Sequence, residues 1–337
     1  MHGQGHTAIF LAPCATTNSF GQTVSIDNEA GSSFKAAKRV AISQFGVEFY
    51  TQFVGIGRSG GNTASQTTVL VGASDATMQT LVDTLYKQTV NKLKTAGFEV
   101  VDEAVLAGDA QYQELVKAYG KASPYIVHDS QGPGDAEQLS KVFAPAGMPA
   151  FYASAGSSGG YIRADMSDRL DSQNYGTGTR EADIAKRLDA TLLKFSFLAN
   201  YGTTTASKGG LLANFANTSA KVAFEPALVL MAFETQIQFV NADGPRAFGN
   251  VKRSGQSGAF YLSQPLKGEN IFETAETTSA DVKKEDALKN AIFSILGGGK
   301  NAVKTQALEV RTDEKLFATE YTKLLSTASD ALINALK

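Results

Sequence analysis

The stretch "KRVAISQFGVEFYTQFV", residues 38–54, decides the fold of this chain. Its apolar and polar residues alternate, which is typical of a β-strand with one buried face. Val40 and Ile42 occupy one frame of this alternation. The apolar residues of the other frame are Phe45, Val47, Phe49 and Phe53. A change of frame near Gly46 predicts a β-bulge, because one extra residue turns all later side chains to the opposite face. We therefore predict a long, bulged strand whose aromatic side chains fill a core.

The segments that follow predict a β–α–β unit over residues 39–102. The Gly- and Ser-rich segment "GIGRSGGNTAS" separates the first strand from a second alternating run, "QTTVLVGA", so the two runs indicate a hairpin. Ser74 or Asp75 offers an N-cap for an amphipathic helix that ends at Gly97. The segment "FEVVD" directly after this helix predicts the strand that completes the unit.

The rest of the chain predicts further helices and an antiparallel meander. The meander is predicted from "ATLLKFSFLANYG", "KVAFEPALVLMAF" and "ETQIQFVNADGPRAFGNVKR", with Pro226 at an edge or a bulge. The predicted helices are Ala110–Tyr119, a short one near Glu181–Leu188, Ala280–Leu296 and Asp313–Leu336. The fold class is therefore α+β (mixed α/β), with a β–α–β start, a meander and two C-terminal helices. We expect a single domain over residues 35–337 with an irregular insert at about 121–178.

Composition narrows the classes of function. Lys and Arg total 31 against 33 Asp and Glu, so the formal charge of −2 gives no electrostatic basis for binding nucleic acid. Apolar residues make up 43% of the chain, which is a globular composition. The longest apolar run is interrupted by Glu225 and Pro226 and is too short to span a bilayer as a helix. One cysteine cannot form an internal disulfide.

That cysteine, Cys14, is the candidate site of lipid attachment. The segment "IFLAPC" places Leu11 and Ala12 before Cys14 in the manner of a bacterial lipobox, although Pro13 fits poorly. The preceding residues contain no Lys or Arg, so a lipoprotein signal would require a native start upstream of Met1. We predict that residues 1–34 form a disordered tether. The alternative is a disordered N-terminus in which the cysteine is incidental.

The order of elements resembles the small α/β domain of the curli-secretion lipoproteins and the related TolB N-terminal fold. The matching segments are "KRVAISQF", "LKTAGFEVVD", "DATLLKFSFL" and "TQIQFVNADGPRAFGNV", and a Cys-led N-terminus agrees with them. The resemblance implies a location in the cell envelope and binding to other proteins rather than catalysis. A further implication of the resemblance is that the protein is a subunit of an oligomeric export assembly.

Ser158 is one candidate for catalysis. It lies in "GSSGG", residues 156–160, which has the Gly-x-Ser-x-Gly spacing of a nucleophile elbow. That site needs a histidine later in the chain, whereas His2, His6 and His128 all precede Ser158. A convergent triad of Ser158 with His128 and Asp129 stays open beside a plain Gly/Ser loop.

His128 is also weighed as a metal ligand. Asp129 and Asp135 lie near it, but one histidine with scattered carboxylates does not define a metal site. We therefore expect a partly exposed loop histidine, with no metal and no cofactor.

Two glycine-rich segments resemble nucleotide-binding motifs in their spacing of glycines. Gly55, Gly57 and Gly60 have GxGxxG spacing, but a second extended run follows them instead of a helix, which favours a hairpin loop. "LGGGKN", ending at Asn301, lacks a Ser or Thr after its lysine and is interpreted as a helix stop.

Three functional hypotheses result. The first is a lipid-anchored binding or scaffold protein on the periplasmic side of the bacterial outer membrane, whose partners are envelope proteins or further copies of itself. It would contact the membrane through the anchor alone and bind no nucleic acid. The second is a hydrolase that uses Ser158 or the His128 region. The third is a subunit of an oligomeric outer-membrane export assembly.

Overall fold

Residues 39–54 lie in the longest strand of a mixed, 13-stranded sheet. The computed structural model describes residues 16–17, 23–29, 31–34, 37–59, 62–129, 138–151, 172–207, 221–242, 257–276 and 303–337. The sheet strands in that part of the chain are β3 (Ile26–Glu29), β4 (Arg39–Ser59), β5 (Asn62–Val71), β6 (Glu99–Val100), β7 (Tyr125–Asp129), β8 (Gln138–Phe143), β9 (Thr191–Ser207), β10 (Lys221–Leu230), β11 (Gln236–Val240), β12 (Ser257–Leu262), β13 (Leu266–Lys267), β14 (Glu273–Glu276) and β15 (Val303–Arg311). A separate pair consists of β1 (Thr16–Thr17) and β2 (Thr23–Val24). The α-helices are α1 (Asp75–Thr95), α2 (Glu103–Ala107), α3 (Ala110–Tyr119), α4 (Ser172–Leu188) and α5 (Glu314–Ala335).

The predicted β–α–β unit is confirmed. β4 pairs in parallel with β6 across α1, and it pairs antiparallel with β5 in the predicted hairpin. The register of β4 against β9 shifts between Ile42 and Gln44, so the frame change in the sequence comes from a bulge at Ser43, slightly before Gly46. The helix α1 begins after the N-cap Ser74, whose hydroxyl accepts a hydrogen bond from the Thr77 amide at 3.1 Å.

The sheet separates two layers of helices. The helices α1 and α5 pack on one face and form the main core with the aromatic side chains of β4 and β9. Among its most buried members are Phe49, Phe195, Phe197, Phe317 and Tyr321. The opposite face, which we call the second face, carries Ala41 and Leu192 against α2, α3 and α4. Because successive side chains of a strand point to opposite faces, the polar residues between the core aromatics lie on the second face.

The predicted meander is confirmed and extended. β10 and β11 both pair antiparallel with β9, and β12 pairs antiparallel with β11. Pro226 lies where the register of β10 against β9 shifts, as predicted for a bulge. The final helix agrees with the predicted Asp313–Leu336, whereas the predicted helix Ala280–Leu296 lies outside the described residues.

Two boundaries drawn from the sequence were wrong. The predicted tether to residue 34 ends too late, because Ile26–Glu29 pairs with β12 and Phe34 is buried among core aromatics. The predicted insert at 121–178 contains the hairpin of β7 and β8 and the start of α4.

Within the described residues, no helix combines the length and apolar character that crossing a bilayer requires.

Candidate functional site

Two of the four residues that the sequence suggested for lipid attachment or catalysis lie in the part of the chain that the structure describes. Cys14 and Ser158 lie outside the described residues. His128 and Asp129 belong to β7, where they pair with Leu139 and Gln138 of β8. The prediction that His128 lies in a loop was therefore wrong, because its backbone is part of an antiparallel hairpin. Among the described residues, no group of three His, Cys, Asp or Glu side chains could hold a metal ion.

The GxGxxG segment belongs to the predicted hairpin, but the prediction that it forms the hairpin loop was wrong, because the strand continues to Ser59. Gly55 lies opposite Gln66, and Gly57 lies opposite Ala64, in the pairing of β4 with β5. Gly60 falls outside the described residues. A dinucleotide site needs such glycines to lead into a helix N-terminus, and Gly55 and Gly57 instead lie within a strand.

The most distinctive site interrupts the edge of β9. The strands β10 and β11 follow this edge in succession, with Leu230 opposite Ala199 and Gln236 opposite Ser196. Residues 231–235 therefore leave the ladder opposite only two residues of β9. We call this segment and the second-face side chains beside it the bulge site.

Phe233 lies at the tip of the bulge site in a strained conformation. Its φ of 67° is in the left-handed region, which is costly for a residue with a bulky side chain. The Glu234 amide donates to the Ala232 carbonyl at 2.8 Å, which closes a γ-turn around Phe233. The Phe233 ring is 47% exposed and lies 5.5 Å, centroid to centroid, from the ring of Tyr261. An exposed aromatic side chain on strained backbone is a feature that is common at binding sites.

The next residue, Glu234, is a buried carboxyl group. Burial raises the pKa of Glu234 to about 7, and the negative charge of Glu48 contributes in the same direction. Glu48 is itself buried and lies opposite Leu198 in the pairing of β4 with β9. The hydroxyl of Ser140 donates a hydrogen bond to the Glu48 carboxylate. Two carboxyl groups thus lie on either side of Leu198, and one of them titrates near neutral pH.

Gln236 adds a hydrogen-bond donor to the site. It is only 1% exposed, and its Nε2 has no hydrogen-bond partner among the residues that the structure describes. Ser196 lies opposite Gln236, and its hydroxyl donates to the Glu234 carbonyl at 3.1 Å. Tyr261 lies opposite Gln236 on the other side, so these side chains share the second face. A buried amide donor without a partner costs about 1–3 kcal/mol, and such a cost in a folded protein calls for an explanation.

An ion pair in the adjacent row of the sheet has a structural role. Glu181 of α4 is 1% exposed, accepts a hydrogen bond from Gln44 Nε2 at 3.1 Å and lies 3.3 Å from Lys194 Nζ. These contacts hold α4 on the second face beside the bulge site. Because its polar groups are partnered in this way, we assign the ion pair to helix docking.

The bulge site combines three kinds of contact: an exposed aromatic surface, two carboxyl groups and a buried amide donor. Sequence reasoning missed all of its members, because they come from β4, β9, the bulge and β12, which are far apart in the chain. One local signal exists, since Glu48 and Glu234 are each charged residues inside otherwise apolar segments, "FGVEFY" and "LMAFET".

Comparison with known proteins adds no relative to this description. No protein-family model, no curated protein and no solved structure matches the chain. The assignment of the site therefore rests on the geometry of the chain itself.

Proposed function

We propose that this chain is a lipid-anchored protein of the bacterial cell envelope whose sheet binds a ligand at the bulge site. The lipobox-like segment that ends at Cys14 supports the anchor. Thr16–Thr17 pairs with β2, so a described strand lies two residues from the proposed attachment point. Two extended residues reach about 7 Å, so a lipid on Cys14 would hold the β1–β2 pair near the membrane surface.

The observations that carry the binding function are the buried Gln236 amide without a partner and the exposed Phe233 ring at the tip of the same segment. A ligand that accepted a hydrogen bond from Nε2 would remove the cost of the unpartnered donor. The same ligand would cover Phe233 and gain from the burial of apolar area.

The anchor is tested by measuring the mass of the N-terminal peptide from the membrane fraction of the native organism. We expect a mature chain that starts at Cys14 and carries a diacylglyceryl group. A chain expressed with Cys14→Ser should lose this group and move to the soluble fraction. A wild-type chain that is soluble and still carries residues 1–13 would contradict the proposed anchor.

Hydrolysis is a second candidate function, which sequence analysis assigned to Ser158 or the His128 region. The Glu48–Glu234 pair favours it independently, because a carboxyl group with a pKa near 7 is suited to general acid catalysis. Wild-type protein and the Glu234→Gln variant should be compared on panels of aryl esters and aryl glycosides. Turnover that the substitution abolishes would support this candidate, and an inactive wild type would remove it.

A further inference from the structure

The bulge site is closed in this structure, because its polar side chains are shielded from solvent. Gln236, Glu48 and Glu234 are only 1%, 4% and 9% exposed. A ligand can reach these groups only after residues 231–235, which we call the bulge segment, have moved away from the sheet. Any binding that uses these groups therefore requires a conformational change of the bulge segment.

Backbone hydrogen bonds hold the bulge segment between two strands. The Thr235 amide donates to the Met231 carbonyl at 3.2 Å, which closes the segment at its base. Towards β9, the Met231 amide donates to the Leu198 carbonyl at 2.9 Å. Towards β12, the Phe233 amide donates to the Leu262 carbonyl at 2.8 Å, and the Leu262 amide donates to the Thr235 carbonyl at 3.0 Å. Because residues so close in the chain carry all of these bonds, we treat the segment as one unit with a closed and an open state.

Two features of the closed state favour opening at every pH. The φ of 67° at Phe233 is strained, and a segment that has left the sheet can relax it. The Nε2 of Gln236 has no hydrogen-bond partner among the described residues, and it gains one from water when the site opens. The closed state must therefore be held by an interaction that outweighs both.

The group that separates the two states is the carboxyl of Glu234, which faces Glu48 across Leu198. Burial and the negative charge of Glu48 raise the pKa of Glu234 to about 7. The charged or titratable groups on the other surrounding elements are Asp27 of β3, Tyr261 of β12, Lys267 of β13, Lys194 of β9 with its partner Glu181 of α4, Lys141 of β8 with its partner Asp75, and, on the opposite face, Glu320 of α5 with its partner Lys323. Among the charged groups, Glu48 is the one that raises this pKa. Ionisation of Glu234 therefore adds a second negative charge to a closed, buried site.

We propose that the bulge segment is a proton-controlled latch over the bulge site, closed while Glu234 carries a proton and open once Glu234 has released it to solvent. This inference rests on the proposed binding function and names the regulation of that site. In the open state, water hydrates the ionised carboxyl group, and the Gln236 amide becomes accessible to a ligand. Because the closed state binds this proton more tightly than the open state, a rising pH shifts the population towards the open state.

The test is hydrogen exchange of the full chain without ligand, followed by mass spectrometry at pH 4 and pH 8 and corrected for the intrinsic exchange rate at each pH. In the wild type, the protection of the bulge segment should fall at least about tenfold from pH 4 to pH 8, while the amides of α1 keep theirs. Glu234→Gln should keep the segment protected at both pH values, because glutamine imitates the protonated carboxyl group. Glu48→Gln should reduce the loss of protection without abolishing it, since Glu234 stays buried. Glu114→Gln, on the exposed surface of α3, is the matched control and should behave as the wild type does.

Three results would overturn the inference. The first is equal protection of the bulge segment at the two pH values in the wild type. The second is a loss of protection that Glu234→Gln retains in full. The third is a parallel loss of protection in α1, because the whole sheet and its helices would then be unfolding. Since these measurements use neither a ligand nor the mass of the Cys14 peptide, the latch fails separately from the proposed binding and the proposed anchor.

Discussion

The hydroxyl of Tyr321 donates a hydrogen bond to the backbone carbonyl of Asn200 at 3.0 Å, deep between α5 and β9. Tyr321 is 1% exposed, so water does not replace this donor if it is lost. Tyr321→Phe should therefore lower the free energy of unfolding by about 1–2 kcal/mol, measured by urea denaturation.

The control for this substitution is Tyr86→Phe in α1. The Tyr86 hydroxyl donates to Glu103 at 3.3 Å near the surface, where water can take its place. Its loss should cost less than about 0.5 kcal/mol. Equal losses at the two positions would show that the Tyr321 hydrogen bond is not a specific link between α5 and the sheet.

Asp109 joins two helices of the second face. Its carboxylate caps α3 by accepting from the Gln111 and Tyr112 amides at 3.0 and 2.9 Å, and it also binds Arg187 of α4. Desolvation opposes ionisation, but the hydrogen bond and charge of Arg187 act together with the bonds from the Tyr112 and Gln111 amides, outweigh it and lower the pKa of Asp109 below its usual range. The stabilisation is therefore present at neutral pH and is lost as the pH falls through this lowered pKa.

Two substitutions separate the cap from the ion pair. Asp109→Ala removes both and should cost about 1–2 kcal/mol, because an N-cap alone contributes about 1 kcal/mol. Asp109→Asn keeps an oxygen that can cap the helix and should cost less. Chemical denaturation at pH 7 measures both differences, and equal losses for Ala and Asn would contradict a role for the cap.

Asp189 lies at the C-terminal end of α4 in a conformation that suits glycine. Its φ is 47°, and the bonds from the Ala190 amide to Ala185 and from the Asp189 amide to Lys186 form a Schellman motif. The same motif ends α1, where the corresponding residue is Gly97 with a φ of 96°. Asp189→Gly should therefore raise the free energy of unfolding by about 0.5–1 kcal/mol.

The reverse change, Gly97→Asp, provides the matched comparison. It places a side chain on positive-φ backbone and should lower the melting temperature by a few degrees, whereas Asp189→Gly raises it. A destabilised Asp189→Gly variant would mean that the Asp189 side chain makes a contribution that outweighs the strain of its backbone.

The features that were predictable from the sequence are those set by neighbouring residues. The alternation from Val40 to Phe53 indicated both the strand and its bulge, and Ser74 and Gly97 marked the ends of α1, because caps act over a few residues. The strand Val303–Arg311 was not predicted. It becomes a strand by pairing in parallel with β5, a partner distant in the chain.

The bulge site escaped prediction for the same reason. Glu48 and Glu234 come together only because β4 and the β10–β11 edge lie on opposite sides of β9. The unpartnered amide of Gln236 is a property of its surroundings in the fold, and no local pattern in the sequence encodes it.

The raised pKa of Glu234 makes the stability of the protein depend on pH. Burial and the charge of Glu48 move this pKa from 4.5 in the unfolded chain to about 7, so the folded state retains a proton that the unfolded state releases in between. The contribution of protonated Glu234 is complete below about pH 4.5 and is lost as the pH rises through 7. Glutamine imitates the protonated carboxyl group, so Glu234→Gln should match the wild type at pH 4 and exceed its free energy of unfolding by about 2–3 kcal/mol at pH 8. Urea denaturation at both pH values measures this difference, with Glu114→Gln on the exposed surface of α3 as the control that should leave stability unchanged at either pH. A constant difference between Glu234→Gln and the wild type at the two pH values would show that the pKa of Glu234 is the same in the folded and the unfolded protein.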